Sequence, residues 1–180
     1  TCALPIYGSE PGYIEEAVMA GLAPFFKRVL EEGTSGLARC VIPSFTNPNN
    51  ISIVTGCPPA VHGVCGNFFY DRETDTEVMM NDPRFLRVET IFKAFQRSGA
   101  KVCIITAKEK LRRLLGKGLT FGDGTAISFS AETADKATTE DHGIEDFLDF
   151  VGLPVPEVYS ADLSEFIFAA GVKIMARDRP

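Results

Sequence analysis

The run KVCIIT at residues 101–106 limits the fold more than any other stretch of the chain. After Lys101 it carries no charge, and its β-branched residues suit a strand covered on both faces, as in a parallel sheet. Parallel neighbours cannot be joined by a tight turn and need a crossover, usually a helix. The flanking sequence supplies helices. Residues 90–97 set Ile91, Phe92 and Phe95 on one side of a helix that Gly99 ends, and residues 107–115 read as a second helix. Residues 126–130 (AISFS) form another short strand, and residues 163–176 form a strong helix with Leu163, Phe166, Ile167, Ala170 and Ile174 in phase. This alternation predicts an α/β layered fold with a mainly parallel sheet flanked by helices.

The remaining punctuation fits that architecture. Residues 2–7 read as a strand entering a turn at residues 8–11, and residues 13–30 carry apolar side chains at helical spacing, broken or restarted by Pro24 and stopped at Gly33. Residues 37–42 read as a strand. A helix is expected over residues 46–55, with Asn47 as its cap, Pro48 in its first turn, and Gly56 and Pro58–Pro59 ending it. Residues 71–75 form a turn, and residues 146–151 a weak helix. With 180 residues, 45% hydrophobic and 23% charged, the chain can bury a core and fits one domain or part of one. Its net charge of −6 disfavours nucleic-acid partners. No apolar run approaches the roughly 20 residues that span a bilayer, and the first residues lack the basic and apolar regions of a signal peptide. The five cysteines form no C-x-x-C pair, which favours free thiols in a reducing cytosol and hence a cytoplasmic protein. The chain lacks an initiator Met and ends directly after a helix, so residues 1–180 are expected to be the amino-terminal part of a single domain that is incomplete at its carboxyl end.

Chemistry concentrates in residues 43–67, PSFTNPNNISIVTGCPPAVHGVCGN. A strand runs into Pro43-Ser44-Phe45, and Thr46 then opens a helix. A hydroxyl there stands among unpaired backbone N–H groups at the positive end of the helix dipole, a setting that favours a phosphate-like anion and stabilises an alkoxide. Thr46 is either a nucleophile of this kind or simply a cap. Asn67 after Gly66 is a turn residue or a neutral hydrogen-bond donor. Lys108 and Lys110 follow the 101–106 strand directly, at the carboxyl end where ligands collect in open α/β sheets. Arg112 and Arg113 follow closely, so the lysines could equally belong to a solvated basic face. Two histidines, His62 and His142, offer no obvious zinc cage. His62 reads as a structural hydrogen-bonding residue and His142 as an exposed loop residue.

The pattern Thr46, Thr55-Gly56, Pro59, His62-Gly63, Gly66-Asn67 resembles the alkaline phosphatase superfamily, close to its nucleotide pyrophosphatase/phosphodiesterase branch. PSFTNPNN, GNFFYD (66–71), VMMNDPRFLR (78–87), TAKEKLRRLLG (106–116), ISFSAE (127–132) and VYSADLSEFIFAAGVK (158–173) are nearer still to the phosphonoacetate hydrolase family. The resemblance covers nearly the whole chain and implies an alkaline phosphatase-like fold. It also implies a two-zinc hydrolase that cleaves the C–P bond of a small phosphonate substrate, phosphonoacetate, to acetate and phosphate. It assigns Thr46 as nucleophile and zinc ligand, Asn67 as donor to a phosphonyl oxygen, and Lys108 and Lys110 as partners of the substrate carboxylate. It implies neither a nucleic-acid nor a membrane partner, and it admits a homodimer.

Two departures qualify that assignment. The family has a zinc-binding Asp-Gly at the end of its first strand, where this chain has Tyr7-Gly8, and a phenol is a poor zinc ligand. The family's remaining Asp and His ligands lie beyond the last helix of this chain, so residues 1–180 alone are expected to be inactive. A sibling nucleotide pyrophosphatase or phosphodiesterase, and a catalytically incompetent relative, are the competing readings.

Overall fold

The computed structural model describes residues 10–180. The expected strand at residues 2–7, and Tyr7 and Gly8 with it, lie outside the described residues. The chain divides into two compact units, Thr1–Cys40 and Val41–Pro180.

In the described part of the first unit, two helices pack together, α1 (Pro11–Met19) and α2 (Pro24–Glu32). Each opens on a proline, whose missing N–H costs nothing in the first turn. Pro24 therefore restarts the helical pattern, and Gly33 caps α2, its N–H donating to the Val29 carbonyl. The expected strand at residues 37–42 is not formed. Leu37 and Ile42 are 89% and 94% exposed, and the Val41 N–H is taken by the Asn49 side chain rather than by a neighbouring strand. An apolar run becomes a strand only where a ladder partner exists, and none stands beside it among the described residues.

The second unit opens with a cis Ile42–Pro43 peptide, then α3 (Thr46–Thr55) and the short α4 (Pro59–His62). Strands β1 (Phe68–Asp71) and β2 (Thr76–Met79) form an antiparallel hairpin around the expected turn, with Phe68 opposite Met79. Then come α5 (Ile91–Arg97), β3 (Val102–Thr106), α6 (Glu109–Leu115), β4 (Ala126–Ser130), α7 (Thr139–His142), α8 (Phe147–Val151) and α9 (Ala161–Asp178). Thr90 caps α5, its hydroxyl accepting from the Lys93 N–H at 3.3 Å. Strands β3 and β4 pair in parallel, Val102 opposite Ala126 and Thr106 opposite Ser130, and α6 is the crossover between them.

The two-residue period of β3 feeds two cores. Val102 and Ile104 join Ile51, Val64, Leu86 and Leu114 on one face. Cys103 and Ile105 pack on the other against Phe129, Phe147, Phe166, Ala170 and Ile174. Helix α9 supplies the second face with its expected stripe, while Phe168, Val172 and Met175 point outward. The parallel pair is thus covered on both sides, as its apolar sequence requires.

Phe129 is fully buried and its ring centroid lies 3.9 Å from that of Phe147. Phe129→Ala is expected to destabilise the protein by about 3–5 kcal/mol in denaturant unfolding. A loss below about 1 kcal/mol would show that this face does not hold the sheet.

Candidate functional site

The approach to Thr46 is fixed by Asn49, a side chain that no sequence pattern singles out. Asn49 is buried; its Oδ1 accepts from the Val41 N–H at 2.9 Å and its Nδ2 donates to the Phe45 carbonyl at 2.8 Å. It ties the incoming chain to the first turn of α3. Phe45, not Asn47, is the residue before the helix, and no side chain caps it. Thr46 is the first helical residue and is exposed, and its hydroxyl has no hydrogen-bond partner among the described residues. An uncapped ten-residue helix with a free hydroxyl at its amino end offers unpaired N–H groups and positive dipole to an anion.

The far end of α3 explains the H-G part of the motif. His62 is fully buried; its Nδ1 accepts from the Val64 N–H at 3.1 Å, so Nε2 carries the proton and donates toward Ser52 Oγ at 3.0 Å. Burial lowers the His62 pKa below its ordinary 6.5, with a hydrogen bond to the Pro48 carbonyl acting the other way. Gly63 follows at φ +89°, and a Cβ there would stand 2.5 Å from the Phe85 carbonyl oxygen. The pair thus braces α3 and α4, and His62 is structural, as expected.

Asn67 is exposed at the open end of the hairpin, where its carbonyl accepts from the Met80 N–H at 2.8 Å. Lys110 reaches the same end: its Nζ lies 3.1 Å from Met79 Sδ, one ladder step away. Asn67 pairs through its backbone with Met80, the neighbour of Met79, so Asn67 and Lys110 share this end of the hairpin without a hydrogen bond between them. Lys108 starts α6 with its carbonyl held by the Thr106 hydroxyl at 2.9 Å. Its ammonium turns elsewhere, 4.3 Å from the centre of the Tyr159 ring. Helix α3 packs against α6, but no hydrogen bond or ion pair joins Thr46 to Asn67, Lys108 or Lys110.

The rest of the basic run divides sharply. Arg112 is spent on Glu109, its terminal nitrogen 2.5 Å from Oε1 and its Nε 2.8 Å from Oε2. Burial raises the Glu109 pKa, but Arg112 and the Ser130 and Thr133 hydroxyls outweigh it and hold the carboxyl below its ordinary range. A cleft of about 580 Å³ lies beside this pair, lined by Arg113, Lys117, Lys136 and His142, and a second of about 410 Å³ is lined by Gly63, Phe69, Met80 and Arg87. Neither is lined by Thr46, Asn67, Lys108 or Lys110; Thr46, Asn67 and Lys110 are exposed and Lys108 is half-buried. His142 is buried rather than exposed: it closes α7, and its Nδ1 accepts from the Thr138 N–H at 3.2 Å. Burial, and secondarily the Arg112 charge, lower its pKa. Asp82 and Arg84 are structural, Asp82 Oδ1 accepting from the Arg84 N–H at 2.9 Å.

Among the described residues no group of three or more His, Cys, Asp or Glu side chains could hold a metal ion. Thr46 Oγ is one oxygen donor, whereas zinc sites use three or four protein ligands. These residues alone do not make a zinc site. Cys40, Cys57, Cys65 and Cys103 are free thiols, and burial pushes the Cys103 pKa up to about 12. No helix among the described residues is long and apolar enough to cross a membrane.

Residues 1–121 match the family described as type I phosphodiesterase / nucleotide pyrophosphatase. Two solved structures of phosphonoacetate hydrolase from Sinorhizobium meliloti 1021, one in complex with phosphonoacetate and one with phosphonoformate, are each 60% identical to this chain, with a TM-score of 0.92. The match covers 96% of this chain and 42% of that one, so the chain spans less than half the length of its structural relative.

Both folded-state imidazole pKa values lie below the unfolded 6.5. As pH falls, the unfolded chain takes up these protons first, so stability is full above about 6.5 and declines through and below it. NMR titration should place both midpoints below 6.5, with unfolding free energy falling from pH 7.5 to 5.5. A midpoint at or above 6.5 for His62 would contradict its burial.

Proposed function

The chain belongs to the type I phosphodiesterase / nucleotide pyrophosphatase family, and from that premise we propose that the protein carrying it hydrolyses the C–P bond of phosphonoacetate. The observation that supports this reading is an exposed Thr46 opening a helix that packs on α6, the helix that Lys108 precedes and that carries Lys110. Likeness to a phosphonoacetate hydrolase held with phosphonoacetate supports the same choice of substrate.

The roles follow from charge. Thr46 Oγ attacks phosphorus, and the unpaired N–H groups of the first α3 turn favour the anion gathered there. The Asn67 amide donates to a phosphonyl oxygen without adding charge. When the C–P bond breaks, its electron pair stays on the CH₂ carbon and takes up a proton, the equivalent of the one that Thr46 gives up, to yield acetate. The carboxylate is already charged in the bound substrate, so two ammonium groups placed there bind ground state and transition state alike and act mainly on KM. Water then releases phosphate from Thr46.

Two zinc ions belong to this reading, with Thr46 as the one ligand that the described residues contribute. Three or more further ligands per ion would come from outside those residues. Residues 1–180 are read as the amino-terminal part of one alkaline phosphatase-like catalytic domain, cytoplasmic, acting on a small phosphonate rather than on nucleic acid or membrane. The family match leaves a nucleotide pyrophosphatase or phosphodiesterase as the second reading.

Assays of the full-length protein separate the two. Phosphonoacetate should give equimolar acetate and phosphate, a chelator should abolish release and added zinc restore it. Thr46→Ala should lower kcat at least 1,000-fold (on the order of the loss seen when a catalytic nucleophile is removed). Lys108→Ala and Lys110→Ala should each raise KM. Faster turnover of a nitrophenyl phosphodiester, indifferent to Lys108→Ala, would favour the phosphodiesterase instead.

A further inference from the structure

Tyr159 is a large aromatic residue that packs against almost nothing: it is 95% exposed. It lies in the connection between α8 and α9, directly before Ser160, the residue that precedes the first turn of α9. The turn that carries it is braced, because the Ser160 N–H and hydroxyl both donate to the Glu157 carbonyl, at 3.2 and 2.8 Å. The backbone is thus fixed while the ring is left in solvent. The face of that ring meets the Lys108 ammonium, 4.3 Å from its centre. Core packing does not account for a tyrosine presented in this way.

The other partner is braced too. The Lys108 carbonyl accepts from the Thr106 hydroxyl at 2.9 Å and from the Arg112 N–H at 3.2 Å, which pins its backbone at the carboxyl end of β3. Its four-carbon side chain still has free rotors. Other cations of the fold are restrained by carboxylates: Arg112 by Glu109 and Arg97 by Glu89. A carboxylate cancels the charge that it restrains. The face of an aromatic ring attracts an ammonium through its quadrupole and leaves the positive charge intact. Lys108 is therefore held in place and remains able to pair with an incoming anion.

We infer that Tyr159 is a positioning residue for Lys108, and through it a determinant of selectivity for substrates that carry a carboxylate. The inference rests on the reading above, in which Lys108 meets the carboxylate of phosphonoacetate. Tyr159 touches neither the substrate nor the reacting atoms. It limits where the ammonium can go, so its effect falls on recognition of the carboxylate and not on chemistry at phosphorus. Among the described residues its ring packs into no core, so truncation removes no core packing there.

The test is steady-state kinetics in the full-length protein with Tyr159→Ala, Tyr159→Phe, Lys108→Ala and the Tyr159→Ala/Lys108→Ala pair. Tyr159→Ala is expected to raise KM for phosphonoacetate about two- to five-fold, the range for an exposed cation–ring contact. Its kcat should stay within about twofold of the parent, as should its Ki for inorganic phosphate, which lacks the carboxylate. Tyr159→Phe keeps the ring face and should restore most of the parental KM. On the Lys108→Ala background, Tyr159→Ala should add nothing, the signature of two residues acting through one interaction. If Lys108→Ala raises KM and Tyr159→Ala does not, the positioning role is overturned while the reading of Lys108 stands. If Lys108→Ala leaves KM unchanged, that reading itself fails. Equal loss of phosphate affinity and kcat in Tyr159→Ala would mark a structural role and would also overturn the inference.

Discussion

The Glu109 carboxylate holds together the end of the molecule where ligands are expected. Its Oε2 accepts from the Ser130 hydroxyl at 2.9 Å and the Thr133 hydroxyl at 3.1 Å, while Arg112 takes both oxygens. Ser130 and Thr133 also lie 2.9 Å apart, so two hydroxyl protons serve three contacts. The neighbouring loops are tied reciprocally: the Glu109 N–H donates to Glu132 Oε2 at 2.9 Å and the Glu132 N–H to the Ala107 carbonyl at 3.1 Å. Strands β3 and β4 end in register, Thr106 opposite Ser130, and this network joins the loop after β3 to the turn after β4. The side chains of Glu109 and Arg112 are only 25% and 11% exposed, so removing either leaves its partner charged and poorly solvated, at a cost of roughly 3–5 kcal/mol for such a pair. The point at which Lys108 and Lys110 leave the sheet is set by this network.

The basic run of α6 is thereby sorted into two kinds of cation. Arg112 is consumed by structure. Lys108 and Lys110 are not: one ammonium rests on an aromatic face and the other beside a thioether sulfur, both weak partners that leave the charge available. Thr46, at the open amino end of α3, likewise keeps its hydroxyl without a partner among the described residues. Charge and hydroxyl left uncommitted at a braced surface suit a small dianion that also bears a carboxylate.

Much of this was legible in the sequence, because local rules decided it. The bounds of α3 and β4, the restart at Pro24, the turn within the hairpin and the buried stripe of α9 all follow from proline, glycine and periodicity. What escaped were features set by long-range partners. Residues 37–42 have strand composition but no neighbouring strand among the described residues, and Val41 bonds to a side chain instead. Asn47 looked like a cap, yet Asn49 does the bracing, because its side chain reaches across to a segment that the local sequence cannot reveal. His142 sits in a polar run but is buried, since Gly143 lets the backbone turn against β4: a Cβ there would lie 2.0 Å from the Ala126 carbonyl oxygen. In the site, Thr46, Asn67, Lys108 and Lys110 were named from motif and resemblance. The divergence of the two lysines, one to Tyr159 and one to Met79, depends on contacts between residues far apart in the chain and had no local signal.

The proposed hydrolysis requires a single placement: phosphorus at the Thr46 hydroxyl and the substrate carboxylate at the two lysines. A crystal structure of the full-length protein with phosphonoacetate bound tests it most directly. The expected result is phosphorus within about 3–3.5 Å of Thr46 Oγ, the span of a near-attack geometry, the Asn67 amide on a phosphonyl oxygen, and the carboxylate within hydrogen-bond reach of the Lys108 and Lys110 ammonium groups. A ligand seated instead in the cleft beside Arg113, Lys117 and Lys136, or with its carboxylate turned away from both lysines, would contradict it.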